Sequence, residues 1–167
     1  MAANSFSHDD SHSTTSNEGW SSRRIAVTAV FCALSLVTSF IEIPIFPPAP
    51  WLLYDPSGIV CMVAGFAFGP ATGIAVTLIS WILHLIFKFN PWGALMAIIA
   101  LLAFVIPASV FNAKSPSLKR AIIGMVIGAA ISLAVCLLAN IVITPLYTSV
   151  DTQTVISMIV PILLPFN

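Results

Sequence analysis

The sequence predicts an all-α integral membrane protein, a bundle of five complete transmembrane helices followed by the start of a sixth. Three observations carry this. Of the 167 residues, 7% are charged and 59% are hydrophobic, whereas a soluble domain carries about 25% charged residues. So few charges cannot cover a water-facing surface, and most of the exterior must meet lipid. Beyond residue 22 the apolar residues fall into runs of membrane-spanning scale, separated by short breaks bearing Pro, Gly or charge. The basic residues also cluster as a multi-span chain requires, as set out below. Mean hydropathy is +1.04. The net charge is zero, which gives no basic surface for nucleic acid.

Residues 1–22 form a separate region, MAANSFSHDDSHSTTSNEGWSS, rich in Ser, Asn, Asp and His. Such a composition has almost nothing to bury and reads as a disordered cytoplasmic tail. His8 and His12 flank Asp9 and Asp10 there, a solvated tail rather than a metal site. Residues 23–167 form the transmembrane domain. Span 1 covers 24–43 and follows Arg23 and Arg24. It is long for a signal peptide and lacks a small-residue cleavage site, so it reads as a retained helix.

A Pro- and aromatic-rich loop, 44–55, leads to span 2, residues 56–68, which Gly69 and Pro70 end. Thirteen helical residues rise about 20 Å, short of the roughly 30 Å hydrocarbon core. The apolar loop is expected to fold back and fill the remaining depth, because non-helical backbone there must be shielded by protein or line a wet cavity. Asp55 is placed as N-cap of span 2 with Pro56 at its first helical position. Span 3 covers 71–87. Asn90 and Pro91 start span 4, residues 92–111. The polar stretch 112–120 precedes span 5, residues 121–144. A loop over 147–154 leads to a last apolar piece, VISMIVPILLPFN. That ending has no polar cap or charged anchor, and the expectation is a chain truncated before its sixth helix.

Orientation follows from charge. Arg23 and Arg24 precede span 1, while Lys114, Lys119 and Arg120 lie between spans 4 and 5. With alternating spans these regions share a side, and the positive-inside rule makes it cytoplasmic. The N-terminus is therefore expected in the cytoplasm of a multi-pass plasma-membrane protein. Glu42, Asp55, Lys88 and Asp151 fall near the outer face.

No HExxH, GxSxG, phosphate-binding loop or dinucleotide fingerprint is present, so the expected catalytic residues, metal ligands and cofactors are none. Cys32, Cys61 and Cys136 sit inside apolar runs without metal-ligand spacing and read as small buried hydrophobes. Polar residues within the spans are more informative, since each is costly in lipid. Thr77, Ser80, His84 and Lys88 recur at helical spacing on span 3, and Asn140, Thr144 and Tyr147 do so on span 5. They form either a hydrogen-bonding pocket near the outer face or interhelical glue. Trp51 and Tyr54 in the loop are either pocket walls or interfacial anchors. Ala29-x-x-x-Ala33 and Gly124-x-x-x-Gly128 are small-residue patterns that permit close helix contact.

These pieces together resemble the substrate-binding S components of energy-coupling factor (ECF) vitamin transporters, most of all the riboflavin-specific branch. The resemblance rests on RRIAVTAVFCAL in span 1, PWLLYDPSGIVCMVAGFAFGPATG across loop and span 2, and NPWGALMA opening span 4. Asn140, Pro145 and Tyr147 at the end of span 5, and the closing PFN, complete it. The resemblance implies a family fold of six helices that binds a vitamin near the outer face without catalysis. Its partners are a transmembrane coupling subunit and two ATPase subunits, which use the ATP, within the lipid bilayer. It implies that Ala29 and Ala33 contact the coupling subunit, and that Asn140 and Asn167 touch the ligand, riboflavin. Tyr147, Thr144, Trp51, Tyr54, Asp55, His84 and Trp92 complete the expected binding set. Relatives usually continue past PFN with a lysine and a sixth helix. Ser57-Gly58 departs from the Ser-Asp common in riboflavin binders, which keeps a pyridoxine- or thiamine-type vitamin as an alternative ligand. A structural or assembly protein without a ligand is the alternative of a different class.

Overall fold

The computed structural model describes residues 20–45, 47 and 53–163. The element order is α1 (Ser22–Ser39), β1 (Ile43–Pro44), β2 (Leu53–Tyr54), α2 (Ser57–Phe68), α3 (Pro70–Phe87), α4 (Pro91–Ala113), α5 (Leu118–Tyr147) and α6 (Thr152–Ser157), closed by a π-helical turn over Ile159–Leu163. Four helices, α1, α3, α4 and α5, are long and apolar enough to cross a membrane. The 12-residue α2 is short, as its sequence requires.

Local chemistry sets each boundary. Ser21 caps α1, its hydroxyl accepting from Arg24 N–H at 3.3 Å. The helix therefore begins inside the segment assigned to the tail, whose residues 1–19 lie outside the described residues. Ser117 caps α5 in the same way. The Asn90 side chain accepts from Gly93 N–H at 3.0 Å, with Pro91 opening α4. Such caps satisfy amide donors that a helix start leaves free. Span 2 begins one residue later than its sequence implied. Pro56 occupies the cap position, and Asp55 accepts from Ser57 N–H at 2.9 Å. α2 and α3 are separated by Gly69 alone, whose φ of 92° is a left-handed turn that glycine adopts without strain.

The interior is made of small and polar side chains, and the exterior of large aliphatic ones. Cys32, Cys61, Ala64, Val76 and Val105 form the core shared by α1 to α4. Val30, Leu34 and Val37 of α1 and Val126, Leu138 and Val142 of α5 point outward. In water this pattern would be unstable; in lipid, the outer face needs no burial and the inner face gains from close approach. Gly124 and Gly128 of α5 provide that approach. A Cβ at either would lie 2.7 Å from a backbone carbonyl oxygen of α4, on Ala108 and Phe104 respectively. Beyond α5 the chain folds back, packing Val155 and Leu163 against Leu137 and Ile141.

Consecutive helices joined by short connections run antiparallel. The β1–β2 hairpin (Ile43 opposite Tyr54), the α3–α4 junction and the end of α5 therefore share one end of the bundle. The other end holds Gly69, the α4–α5 loop with Lys114, and the start of α1. There Arg24 clasps the α2–α3 turn. Its guanidinium donates to Thr72 Oγ1 at 3.0 and 3.1 Å and to the Phe68 carbonyl at 3.2 Å, and it lies 4.7 Å from the Trp20 ring.

Candidate binding site

A cavity of about 450 Å³ opens at the hairpin end, a size typical of sites for small molecules. Its mouth is formed by Glu42, Tyr54 and Asp55 from the hairpin region and by Asn90 at the α3–α4 junction. One side is Trp81 and His84 of α3. The other is Asn140 and Tyr147 of α5. The deep wall runs between α4 and α5 along Ala97, Ala100, Phe104, Ala129, Ser132 and Cys136. Most of this lining is apolar, with a few amides, a hydroxyl and carboxylates placed around it.

The α3 wall follows from helical spacing. Thr77, Ser80, Trp81 and His84 are all buried. His84 Nδ1 lies 2.7 Å from Ser39 Oγ of α1, and Nε2 lies 3.7 Å from Glu42 Oε1. Its ring packs between Phe40, at 4.9 Å, and Trp81, at 4.8 Å. Position and orientation are thus fixed from three sides. Ser80 accepts from Ser35 at 3.0 Å, and Ser35 lies 3.4 Å from Cys61 Sγ. Ser80 therefore belongs to interhelical glue, Thr77 donates to the Gly73 carbonyl of its own helix at 2.9 Å, and His84 reaches the cavity. Lys88, placed with them by sequence spacing, points elsewhere: its ammonium contacts Glu42 and half its side chain is exposed. A long cationic stem at a helix end reaches for water and a counter-ion.

The α5 wall centres on Asn140, which is 2% exposed. Its Nδ2 donates to the Cys136 carbonyl at 2.9 Å and its Oδ1 accepts from Thr144 Oγ1 at 3.0 Å. One amide hydrogen and one lone pair remain for a guest. Thr144 is itself not a wall residue; it holds the amide in place. Tyr147 lines the cavity, and Trp92 stacks on it at 6.1 Å with planes 14° apart. Trp92 thus backs the wall rather than forming it.

Asp55 anchors the mouth. Burial pushes its carboxyl above the ordinary carboxylate value, against the opposing hydrogen bonds from Ser57. Of the residues expected from sequence, Tyr54, Asp55, His84, Asn140 and Tyr147 converge on the cavity; Trp51 and Asn167 lie outside the described residues. Glu42, Trp81 and the deep wall line the cavity as well, outside the set expected from sequence. Trp81 was legible, since it lies three residues before His84 on one helical face. The deep wall of Ala, Phe and Cys was not, because small apolar residues look the same in a packed seam and in a cavity. Ala29 and Ala33 are exposed on α1.

Residues 23–167 match the family described as the substrate-specific component of ECF transporters. The chain is 29% identical over 152 residues to the riboflavin transporter RibU of Staphylococcus aureus (strain TCH60), covering 87% of this chain and 80% of the relative. It is 26% identical over 157 residues to the riboflavin transporter FmnP of Bacillus subtilis (strain 168), covering 87% and 82%. To RibU of Streptococcus thermophilus it is 28% identical over 130 residues, covering 75% and 62%. The fold superposes on a solved structure of the S component of a bacterial ECF transporter with a TM-score of 0.74 at 28% identity, covering 85% of this chain and 84% of that one.

Proposed function

The chain belongs to the substrate-specific components of ECF transporters, and from that premise we propose that it captures riboflavin in the cavity at the hairpin end. It is a multi-pass membrane protein that acts with a transmembrane coupling subunit and two ATPases. The carrying observation is the hollow itself: about 450 Å³ between the hairpin and α5, walled by aromatic and small apolar side chains with a few buried polar groups. Such a site suits a flat heteroaromatic ring with carbonyl and ring-nitrogen edges. The riboflavin relatives support the same solute.

In this reading Asn140 offers its spare amide hydrogen and lone pair to the ring edge, positioned by Thr144. Tyr147, backed by Trp92, gives a flat wall. His84 and Asp55 with Tyr54 border the solute near the mouth, Trp51 of the loop joins the proposed set as an aromatic wall, and Asn167 completes it as the family resemblance implies. Ala29 and Ala33 supply the coupling-subunit contact, for which their exposure on α1 is suited. In the same reading the N-terminus lies in the cytoplasm, which is supported by the gathering of Arg23, Arg24, Lys114, Lys119 and Arg120 at the end opposite the cavity. The cavity then opens outward. A pyridoxine- or thiamine-type vitamin is the second reading, supported by Gly58. It lines the cavity, and a Cβ there would meet Leu101 at 2.8 Å, so the wall differs locally from one carrying a side chain at this position.

The test is a ligand screen on purified protein by thermal shift and flavin fluorescence. Riboflavin at 100 times its dissociation constant stabilises by about 2.7 kcal/mol, with quenching of its emission. Asn140→Ala is expected to weaken affinity roughly thirtyfold, the equivalent of about 2 kcal/mol for an unpaired buried partner, while the protein stays folded. Absence of both shift and quenching with riboflavin sinks the flavin assignment.

A further inference from the structure

The charge on the cavity wall carries information about which form of a solute can enter. Glu42 and Asp55 line the cavity, and no Lys or Arg does so among the described residues. Lys88 contacts Glu42, but half of the Lys88 side chain is exposed against 15% for Glu42. The cation therefore sits on the solvent side of the pair and the carboxylate on the cavity side. Taken together these three groups leave one net negative charge beside the mouth. The wall also holds a donor lacking an acceptor: Trp81 is 5% exposed, and its buried Nε1–H has no partner among the described residues. A buried N–H of this kind calls for an acceptor, which a neutral carbonyl or ring nitrogen provides without adding charge.

Resting on the vitamin-capture reading, we infer that Glu42 is a specificity-determining residue that makes the cavity select an unphosphorylated vitamin over its phosphate monoester. A phosphate monoester carries a charge of about −1.5 to −2 at neutral pH. Bringing it against Glu42 and Asp55, with no cation among the described wall residues to receive it, opposes like charges. Glu42 is placed for this by two contacts, the Lys88 ammonium outside and His84 at 3.7 Å inside. Lys88 tempers the filter rather than defeating it, because it faces solvent, where its field is screened.

The experiment titrates the full chain in nanodiscs with two matched pairs, riboflavin with riboflavin 5′-phosphate and pyridoxine with its 5′-phosphate. Work at about pH 8 keeps an ordinary imidazole uncharged. The readout is the ratio of dissociation constants, ester over unphosphorylated form, so that a loss common to both ligands cancels. The wild-type ratio is expected above about tenfold, which is about 1.4 kcal/mol. Glu42→Gln lowers it at least about fivefold, Glu42→Asp retains it, and Lys88→Gln widens it; added salt narrows it. Where Glu42→Gln does not fold, Lys88→Gln and the salt series decide. A wild-type ratio near one, or a ratio indifferent to these changes, overturns the filter. Discrimination within the pyridoxine pair without any riboflavin binding sinks the flavin assignment and leaves the filter standing; binding in neither pair sinks both.

Discussion

α1, α2 and α3 meet through side-chain hydrogen bonds: Ser35 with Ser80 and Cys61, Ser39 with His84, Arg24 with Thr72 and the Phe68 carbonyl. α4 and α5 meet mainly through the absence of side chains, with Gly124 and Gly128 laid on the carbonyls of Ala108 and Phe104. A single side-chain bond across that seam, Ser132 to the Ala100 carbonyl at 2.9 Å, accompanies it. Both are solutions to association in lipid, where apolar surface alone gives helices no reason to pair. They differ in tolerance. A hydrogen bond lost between helices is partly replaced by other partners, whereas a backbone contact cannot absorb even one added methyl group without moving a helix. The cavity lies between these regions, so the glycine seam sets its width and the bonded region sets its floor plan.

Substitutions that load each region separate the two modes. Gly128→Leu has the largest expected effect. It drives a side chain into the Phe104 carbonyl and costs ~3 kcal/mol, as overpacking of a tight interior does. Thermal unfolding should show a sharply lowered midpoint together with lost ligand binding, and an unchanged midpoint would break the seam argument. Ser80→Ala is milder at about 0.6 kcal/mol, the average for an interhelical hydrogen bond in a membrane, with binding retained; an effect as large as that of Gly128→Leu would erase the distinction. The smallest effect concerns Asp55→Asn, read as a pH slope. Because burial raises the Asp55 carboxyl in the folded chain, the folded state holds the proton more tightly than the unfolded one. Its contribution is fully present below the ordinary carboxylate value of 3.8 and fades as pH rises through the raised value. Asp55→Asn should flatten stability across that window, measured as unfolding midpoint against pH.

Much of the fold was legible because lipid forces long apolar runs and leaves few ways to connect them. The short α2 and the close approach allowed by Gly124 and Gly128 both appear in the structure, while the polar face of α3, open in sequence between pocket and glue, divides between the two. The site was less legible where a residue's role depends on what lies across from it. Arg24 reads as a topology signal in sequence, yet it is also the clasp on the α2–α3 turn. Thr144 and Trp92 carry the right chemistry for a wall but serve it from behind, through Asn140 and Tyr147. Glu42 lies outside every helical pattern, so no periodicity announces it, and the packing of the end of α1 against α3, through Ser39 and Phe40, brings it beside His84.

The twelve residues of α2 rise about 18 Å, leaving part of the bilayer's depth to the hairpin and the hollow beneath it. On the proposed outward-facing reading, a solute that settles there has travelled some way across the permeability barrier by diffusion alone, exchanging its hydration shell for protein walls as it descends. The ATP-driven stroke then begins from a dented starting line, with a shorter distance left to cover than the full thickness of the membrane.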